Sequence, residues 1–346
     1  MKNRNLLRDS MKGFLICLFA VSFMQPCLGK QTKKGTRLQN LTQYVNPYIG
    51  TSGHGHTFLG ANVPFGLVQL GPSNYTRGWD WCSGYHYSDS IVTGFGHMHL
   101  SGTGIGDLGD ISFMPAVGRV STKRSTPEQY LSGLGSIYRH STEKCRPGYY
   151  AVHLNRYNVD VELTATPRCG FHKYTFPASK DSKIVIDLES GIGWDKVTEG
   201  YIVQENDSMI SGYRYSSGWA KDQRIYFTAV FSKPIKRFIV SDSTSVFSGS
   251  SLKAEKVYGQ ALFETHEKES VFVKVAISPV SIANAKLNMQ SELPGWNFKQ
   301  TVAKADAAWN KELSKVVVKA DNAARMHTAH FLHRPLSYHD CPFYLL

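Results

Sequence analysis

Tyr150-Ala151-Val152-His153-Leu154 and Val159-Asp160-Val161-Glu162-Leu163 decide the fold class. Each run alternates apolar and polar residues, the period of a strand with one buried face. The four residues between them leave room only for a tight turn, so the pair reads as antiparallel. Working outward, further strand-like runs cover 170–176, 183–188, 201–205, 208–214, 225–231, 238–240, 260–263 and 270–277. Turn residues separate them at Pro167, Pro177-Ala178-Ser179, Glu205-Asn206-Asp207 and Ser216-Ser217-Gly218. Many short strands without a βαβ rhythm predict a mainly β protein built as an antiparallel β-sandwich.

On either side the character changes. Residues 44–115 are rich in Gly, His and aromatics and read as loops and short strands. Beyond Ser281, two helices are expected at 282–293 and 298–317, broken by Pro294-Gly295. In the second, Val302, Ala305, Trp309, Leu313 and Val316 recur at helical spacing. The expected organisation is a sandwich over 44–281 and linker helices over 282–320.

At the N-terminus, residues 1–29 read as an export signal. Basic residues from Lys2 to Lys12 precede an apolar stretch from Phe14 to Phe23 that is too short to span a bilayer, and Gly29 offers a cleavage point. Residues 30–43 read as a flexible lead-in. No later segment is long and apolar enough to cross a membrane, so export is expected.

The net charge is +12, of which the signal carries +3. No tight Lys/Arg cluster interleaves with aromatics, which argues against a nucleic-acid partner. Six cysteines are present, with Cys82, Cys145 and Cys169 in the body. Three is an odd number, and the spacings are not those of a zinc site.

Three glycine-punctuated segments carry the candidate chemistry. The first runs from Tyr44-Val45-Asn46-Pro47-Tyr48-Ile49-Gly50 through Gly53-His54-Gly55-His56 to Pro64-Phe65-Gly66. The second is Trp79-Asp80-Trp81-Cys82-Ser83-Gly84-Tyr85-His86-Tyr87. The third is Gly94-Phe95-Gly96-His97-Met98-His99-Leu100-Ser101-Gly102-Thr103-Gly104. Glycine permits close backbone approach, indole and phenol rings offer flat faces, and His, Ser and Asp direct hydrogen bonds. Such loops suit a sugar pocket, and by chemistry alone they suit structural loops equally. His54/His56 and His97/His99 are each spaced to share a strand face and so to chelate one ion. No third and fourth ligand is evident beside them. Gly102-x-Gly104-x-Gly106 lacks the strand-then-helix setting of a dinucleotide fingerprint.

In this order, the three segments resemble glycoside hydrolase family 92, a resemblance that continues through Pro147-Gly148-Tyr149-Tyr150 and Val161 to Arg168. It covers about residues 42–318 and, since the family is mostly bacterial, implies export to the periplasm or cell surface of a bacterium. It implies an N-terminal β-sandwich joined by helices to an (α/α)6 barrel, and a calcium-dependent exo-α-mannosidase that acts with inversion on terminal mannose of N-glycans or mannan, with α-1,2 linkages as the expected target. By the same resemblance, Trp79, Trp81, Cys82, His97, His99 and Ser101 are the sandwich's contribution to the mannose pocket. The catalytic acid and base and the calcium ligands belong mainly to the barrel, so none of them is expected in this chain.

The tail from about Met326 loses the family pattern. Codons for the family's usual continuation, YHTMIAPS, read from a third base yield the run Ser337 to Phe343. The tail over 321–346 is therefore read as out of frame from about 327, with the barrel absent and the chain inactive alone. Without a barrel to cover it, the sandwich is expected to leave Trp309 and the linker helices exposed and to be poorly soluble. A non-catalytic carbohydrate-binding sandwich is the alternative; a metal-dependent hydrolase built on the His pairs is a third reading.

Overall fold

The computed structural model describes residues 40–122 and 126–316. The expected signal, most of the lead-in and the aberrant tail lie outside the described residues.

Within them the chain forms two nine-stranded antiparallel sheets. The first sheet runs in the order Ala61–Asn62, Gln69–Asn74, Ile91–Gly96, Ser112–Val117, Ser179–Asp187, Tyr258–Thr265, Arg237–Ser241, Val246–Phe247, with Ser136–Ile137 on the Ile91–Gly96 strand. The second runs Ser251–Ala254, Lys196–Asn206, Met209–Ser217, Gln223–Phe231, Glu269–Ser278, Cys169–Phe176, Val159–Ala165, Tyr149–Leu154, Lys144–Arg146. The alternation that decides the fold is realised in the pairing. Val152 faces Val161, Val161 faces Tyr174, and Tyr174 faces Val271 across four strands, all four buried. This inward row meets Phe113, Ile184 and Ile186 of the first sheet in one shared core. The β-sandwich expected from the sequence is the fold observed.

Three strands early in the chain were not legible individually. Gln69–Asn74, Ile91–Gly96 and Ser112–Val117 are buried on nearly every residue. A strand covered on both faces loses its polar alternation, and with it the periodic signal. These strands hold up the glycine-rich loops.

Both expected helices form, at Ile282–Glu292 and Phe298–Leu313. Ser281 and Asn297 cap them by accepting hydrogen bonds from the N–H groups of Asn284 and Gln300. Neither helix is a free linker. Met289, Leu293 and Phe298 pack on Cys169, Phe171 and Ala276 of the second sheet. The second helix folds back onto the Val159–Ala165 strand and the short 3-10 helix Leu41–Tyr44. Gly148 permits the approach: its φ is +78°, and a Cβ there would lie 2.6 Å from the Cβ of Ala305. Asn310 accepts hydrogen bonds from the N–H of Leu41 at 2.6 Å and of Thr42 at 3.2 Å.

Trp309 corrects the expectation of an exposed helix face. It is 1% exposed and donates its indole N–H to the Asn62 carbonyl at 2.8 Å. Ala305, Trp309 and Leu313 of the stripe are buried, whereas Val316 at its end is 51% exposed, as is Leu287 of the first helix at 61%. Among the described residues, Cys82, Cys145 and Cys169 form no disulfide.

Candidate functional site

Three loops converge beside the first sheet: 50–58, 75–90 and 97–111. Backbone bonds lock them together. Gly102 N–H donates to the His56 carbonyl at 2.7 Å, Tyr87 N–H to Thr51 at 2.7 Å, and the Ser83 hydroxyl also reaches His56 O. Ser101 Oγ accepts from Phe58 N–H at 3.0 Å. His56 is held at φ +53°, a left-handed conformation that costs a non-glycine residue strain. The turn before it admits no side chain, since a Cβ on Gly55 would sit 2.1 Å from Gly50 O.

Trp79 is 60% exposed and pinned by its indole N–H to the Gly104 carbonyl at 2.6 Å. Trp81 is half-buried, stacked on His86 with centroids 4.3 Å apart, and donates to Asp89 at 3.0 Å. Ser101 is half-buried beside them.

The other three expected pocket residues lie beneath this surface. Cys82 is buried, and burial raises its thiol pKa, so it is no nucleophile. His97 is 0% exposed, with Nδ1 on the Ile111 carbonyl at 2.6 Å and Nε2 against His172 Nε2 at 3.0 Å. His99 is buried with Nδ1 on Gln69 O at 2.8 Å and Nε2 on Ser73 Oγ at 3.1 Å. Burial lowers both imidazole pKa values to about 4, so both rings are neutral at pH 7. As placed, Cys82, His97 and His99 are almost wholly enclosed by the loops and strands around them. His97 and His99 do not chelate together, because every ring nitrogen is occupied.

The other His pair gains a partner that spacing did not reveal. Asp80 Oδ1 lies 2.6 Å from His54 Nδ1 and 3.2 Å from His56 Nε2. The hydrogen bond from His54 is the main cause holding the Asp80 carboxyl below its usual range. The Trp79 ring stands edge-on to His56, centroids 4.1 Å apart. Calcium takes six to eight oxygen ligands, so two imidazoles and one carboxylate are not a calcium site.

A buried arginine organises the rest. Arg214 is 0% exposed and donates from Nη1 to Asp110 Oδ1 at 2.6 Å, from Nη2 to Asp195, and from Nε to Leu188 O at 3.0 Å. Burial pushes the Asp110 carboxyl up to about 6 despite the guanidinium, with Asp195 adding to the rise. This hub fastens the 190–195 turn and the 104–110 loop to the second sheet. Two further tryptophans, from the 190–195 turn and from the turn after Met209–Ser217, bond to that loop, and sequence reasoning missed them. The backbone N–H of Trp194 donates to Gly106 O at 2.8 Å, and that of Trp219 to Asp107 Oδ2 at 2.9 Å. They are 62% and 66% exposed. Trp79, Trp194 and Trp219 thus hang from residues 104, 106 and 107 of one short stretch. A signal was present: all three follow glycine, at Gly78, Gly193 and Gly218.

Two open clefts flank the cluster. One of about 430 Å³ is lined by Tyr48, Tyr87, His140 and Glu143, and the other, about 480 Å³, by Tyr75, Tyr130, Gly193 and Asp195. Glu143 accepts from the Tyr85 and Tyr150 hydroxyls at 3.0 and 2.7 Å and pairs with His140 Nδ1 at 2.8 Å.

Comparison with known proteins places this architecture. Residues 44–278 match the family model described as the glycosyl hydrolase family 92 N-terminal domain, and residues 284–337 match the one described as that family's catalytic domain. A family 92 α-mannosidase from Bacteroides thetaiotaomicron, solved with mannoimidazole, is 36% identical with a TM-score of 0.82, over 86% of this chain and 40% of that one. A family 92 inverting mannosidase from Bacteroides thetaiotaomicron VPI-5482 shares the fold at 23% identity and TM-score 0.74, over 86% of this chain and 39% of that one. A protein of Arthroderma benhamiae described as an uncharacterized secreted glycosidase is 26% identical over 321 residues, 81% of this chain and 39% of that protein. The chain spans about two fifths of the length of these relatives.

Proposed function

The chain belongs to glycosyl hydrolase family 92, and we propose that it forms the sandwich wall of the mannose site in an exo-α-mannosidase that removes terminal α-1,2-linked mannose from N-glycans or mannan with inversion. The observation that carries the reading is the grouping of three exposed tryptophans on the 104–107 stretch, Trp79 through its indole and Trp194 and Trp219 through their backbone N–H groups. The Trp79 indole is fixed by its own N–H and the Trp194 and Trp219 backbones by theirs, and exposed flat indole faces suit the C–H faces of pyranose rings. In this reading Trp79, Trp81 and Ser101 touch the sugar, while Cys82, His97 and His99 hold the loops from beneath.

The chain by itself binds and does not hydrolyse. Inversion needs a carboxylic acid and a carboxylate about 6.5–9.5 Å apart, with water between the sugar and the base. Around these loops the described carboxylates are committed elsewhere. Asp110 and Asp195 serve Arg214, Asp107 accepts from Leu108 and Trp219, and Asp80 binds two histidines. None of these sets resembles an oxygen cage, and we place the calcium ligands outside the described residues. Export fits the relative described as secreted, and no described helix is long and apolar enough to cross a membrane.

The test is incubation of the purified chain with α-1,2-mannobiose, with and without calcium, alongside a binding titration with the same disaccharide. Weak binding without mannose release is expected. Calcium-dependent release overturns the claim of inactivity, and no binding at any attainable concentration overturns the mannose wall.

A further inference from the structure

We infer that His54, His56 and Asp80 form a site for a transition-metal dication of the zinc class. It goes beyond the mannosidase reading and does not depend on it. His54 Nδ1, His56 Nε2 and Asp80 Oδ1 all lie within 4.8 Å of one another. A tetrahedral zinc ion with bonds of about 2.0–2.2 Å spaces its ligand atoms about 3.4 Å apart. The 3.2 Å from His56 to Asp80 already meets that spacing, and the 2.6 Å from His54 to Asp80 must open. The His54 side chain is 77% exposed, so it can swing outward at little cost.

The rest of the cluster is fixed. His56 is clamped at its carbonyl by Gly102 and Ser83 and held at a left-handed φ. Asp80 sits in the short 3-10 helix Trp79–Trp81, whose first tryptophan is pinned to Gly104. Strain that aims a ring at a carboxylate is the kind of local cost found where a group has a task.

Donor type selects the ion. Two imidazole nitrogens and one carboxylate oxygen suit zinc, copper, nickel or cobalt, and are poor ligands for calcium or magnesium. Three protein ligands leave a fourth position for water. On binding, each imidazole coordinates through the nitrogen that now faces Asp80 and carries its proton on the other one. The ion would tie the 50–58 loop to the Trp79–Trp81 turn, and so order Trp79, whose ring stands against His56.

The experiment is calorimetric titration of the full chain with zinc chloride and, separately, calcium chloride in a non-chelating buffer, with cobalt(II) as an optical probe. One equivalent of zinc should bind, calcium should not compete, and cobalt should show the visible bands of a four-coordinate site. His54→Ala and Asp80→Asn should each weaken zinc binding more than about tenfold. His153→Ala, whose ring pairs with Asp160 on an outward strand face, should leave it unchanged. Because His54 is exposed, an unaltered melting temperature for His54→Ala separates lost ligation from misfolding. Absence of stoichiometric zinc, calcium binding of equal strength, or undiminished binding in both ligand variants overturns the site.

Discussion

His97 and His172 meet Nε2 to Nε2 at 3.0 Å inside the core, so only one of the two facing nitrogens carries a proton. The neighbours decide which. His97 Nδ1 must donate to the Ile111 carbonyl, which leaves its Nε2 bare. His172 therefore donates from Nε2 and accepts the Tyr174 hydroxyl at Nδ1, 2.7 Å away. Both rings are neutral, and either one gaining a proton destroys the contact.

This arrangement predicts acid sensitivity. Burial lowers His97 and His99 to about 4 and His172 well below the usual histidine value. A folded pKa below the unfolded one gives stability that is complete above about 6.5 and lost as pH falls toward 4. Asp110 and Asp195 act oppositely, since their folded pKa values are raised and protonation relieves them. Three desolvated imidazoles outweigh two carboxylates that share a guanidinium. The urea midpoint should fall steadily from pH 6.5 to 4; a flat profile contradicts the tautomer chain.

Tyr174→Phe leaves the Nδ1 of His172 buried without a donor. The expected loss is about 1–3 kcal/mol, read from chemical denaturation at pH 7. A loss below 0.5 kcal/mol, on the order of an ordinary surface change, would mean that His172 has another partner.

Arg214→Met should cost about 3–5 kcal/mol, because Asp110 and Asp195 are then buried together without a counter-charge. Adding Asp110→Asn should recover part of that loss. The same variant should loosen the turn bearing Trp194, seen as faster acrylamide quenching of tryptophan fluorescence. Additive losses in the double variant would contradict the hub.

Trp309→Ala should cost about 3–5 kcal/mol through the cavity left against the sandwich, and Trp309→Phe clearly less. An exposed, partner-seeking Trp309 would instead give a neutral or stabilising alanine variant, with improved solubility.

Trp79→Ala should change stability by less than about 1 kcal/mol, as expected of an exposed side chain. Binding of α-1,2-mannobiose should weaken by about tenfold or more, a loss of about 1.4 kcal/mol. Unchanged binding would remove Trp79 from the sugar wall.

Much was determined by the sequence alone. Val152, Val161 and Leu163 announce the sandwich because strand alternation is local, and each residue needs only its neighbours two positions away to declare a face. Ser281, Pro294-Gly295 and the stripe through Ala305 and Trp309 mark both helices for the same reason. The loop motifs carried the family. Only the tertiary structure decided where those motifs act. Asp80 joins His54 and His56 across more than twenty residues, and Arg214 reaches Asp110 across 104. His97 and His99 look like surface ligands in a glycine-rich loop, yet the strands beneath enclose them. Trp309 looks like a residue awaiting another domain, yet Gly148 lets its helix close on the sandwich. Local pattern sets a side chain's face; burial and partnership depend on which distant segment arrives opposite, and that is a property of the packed chain.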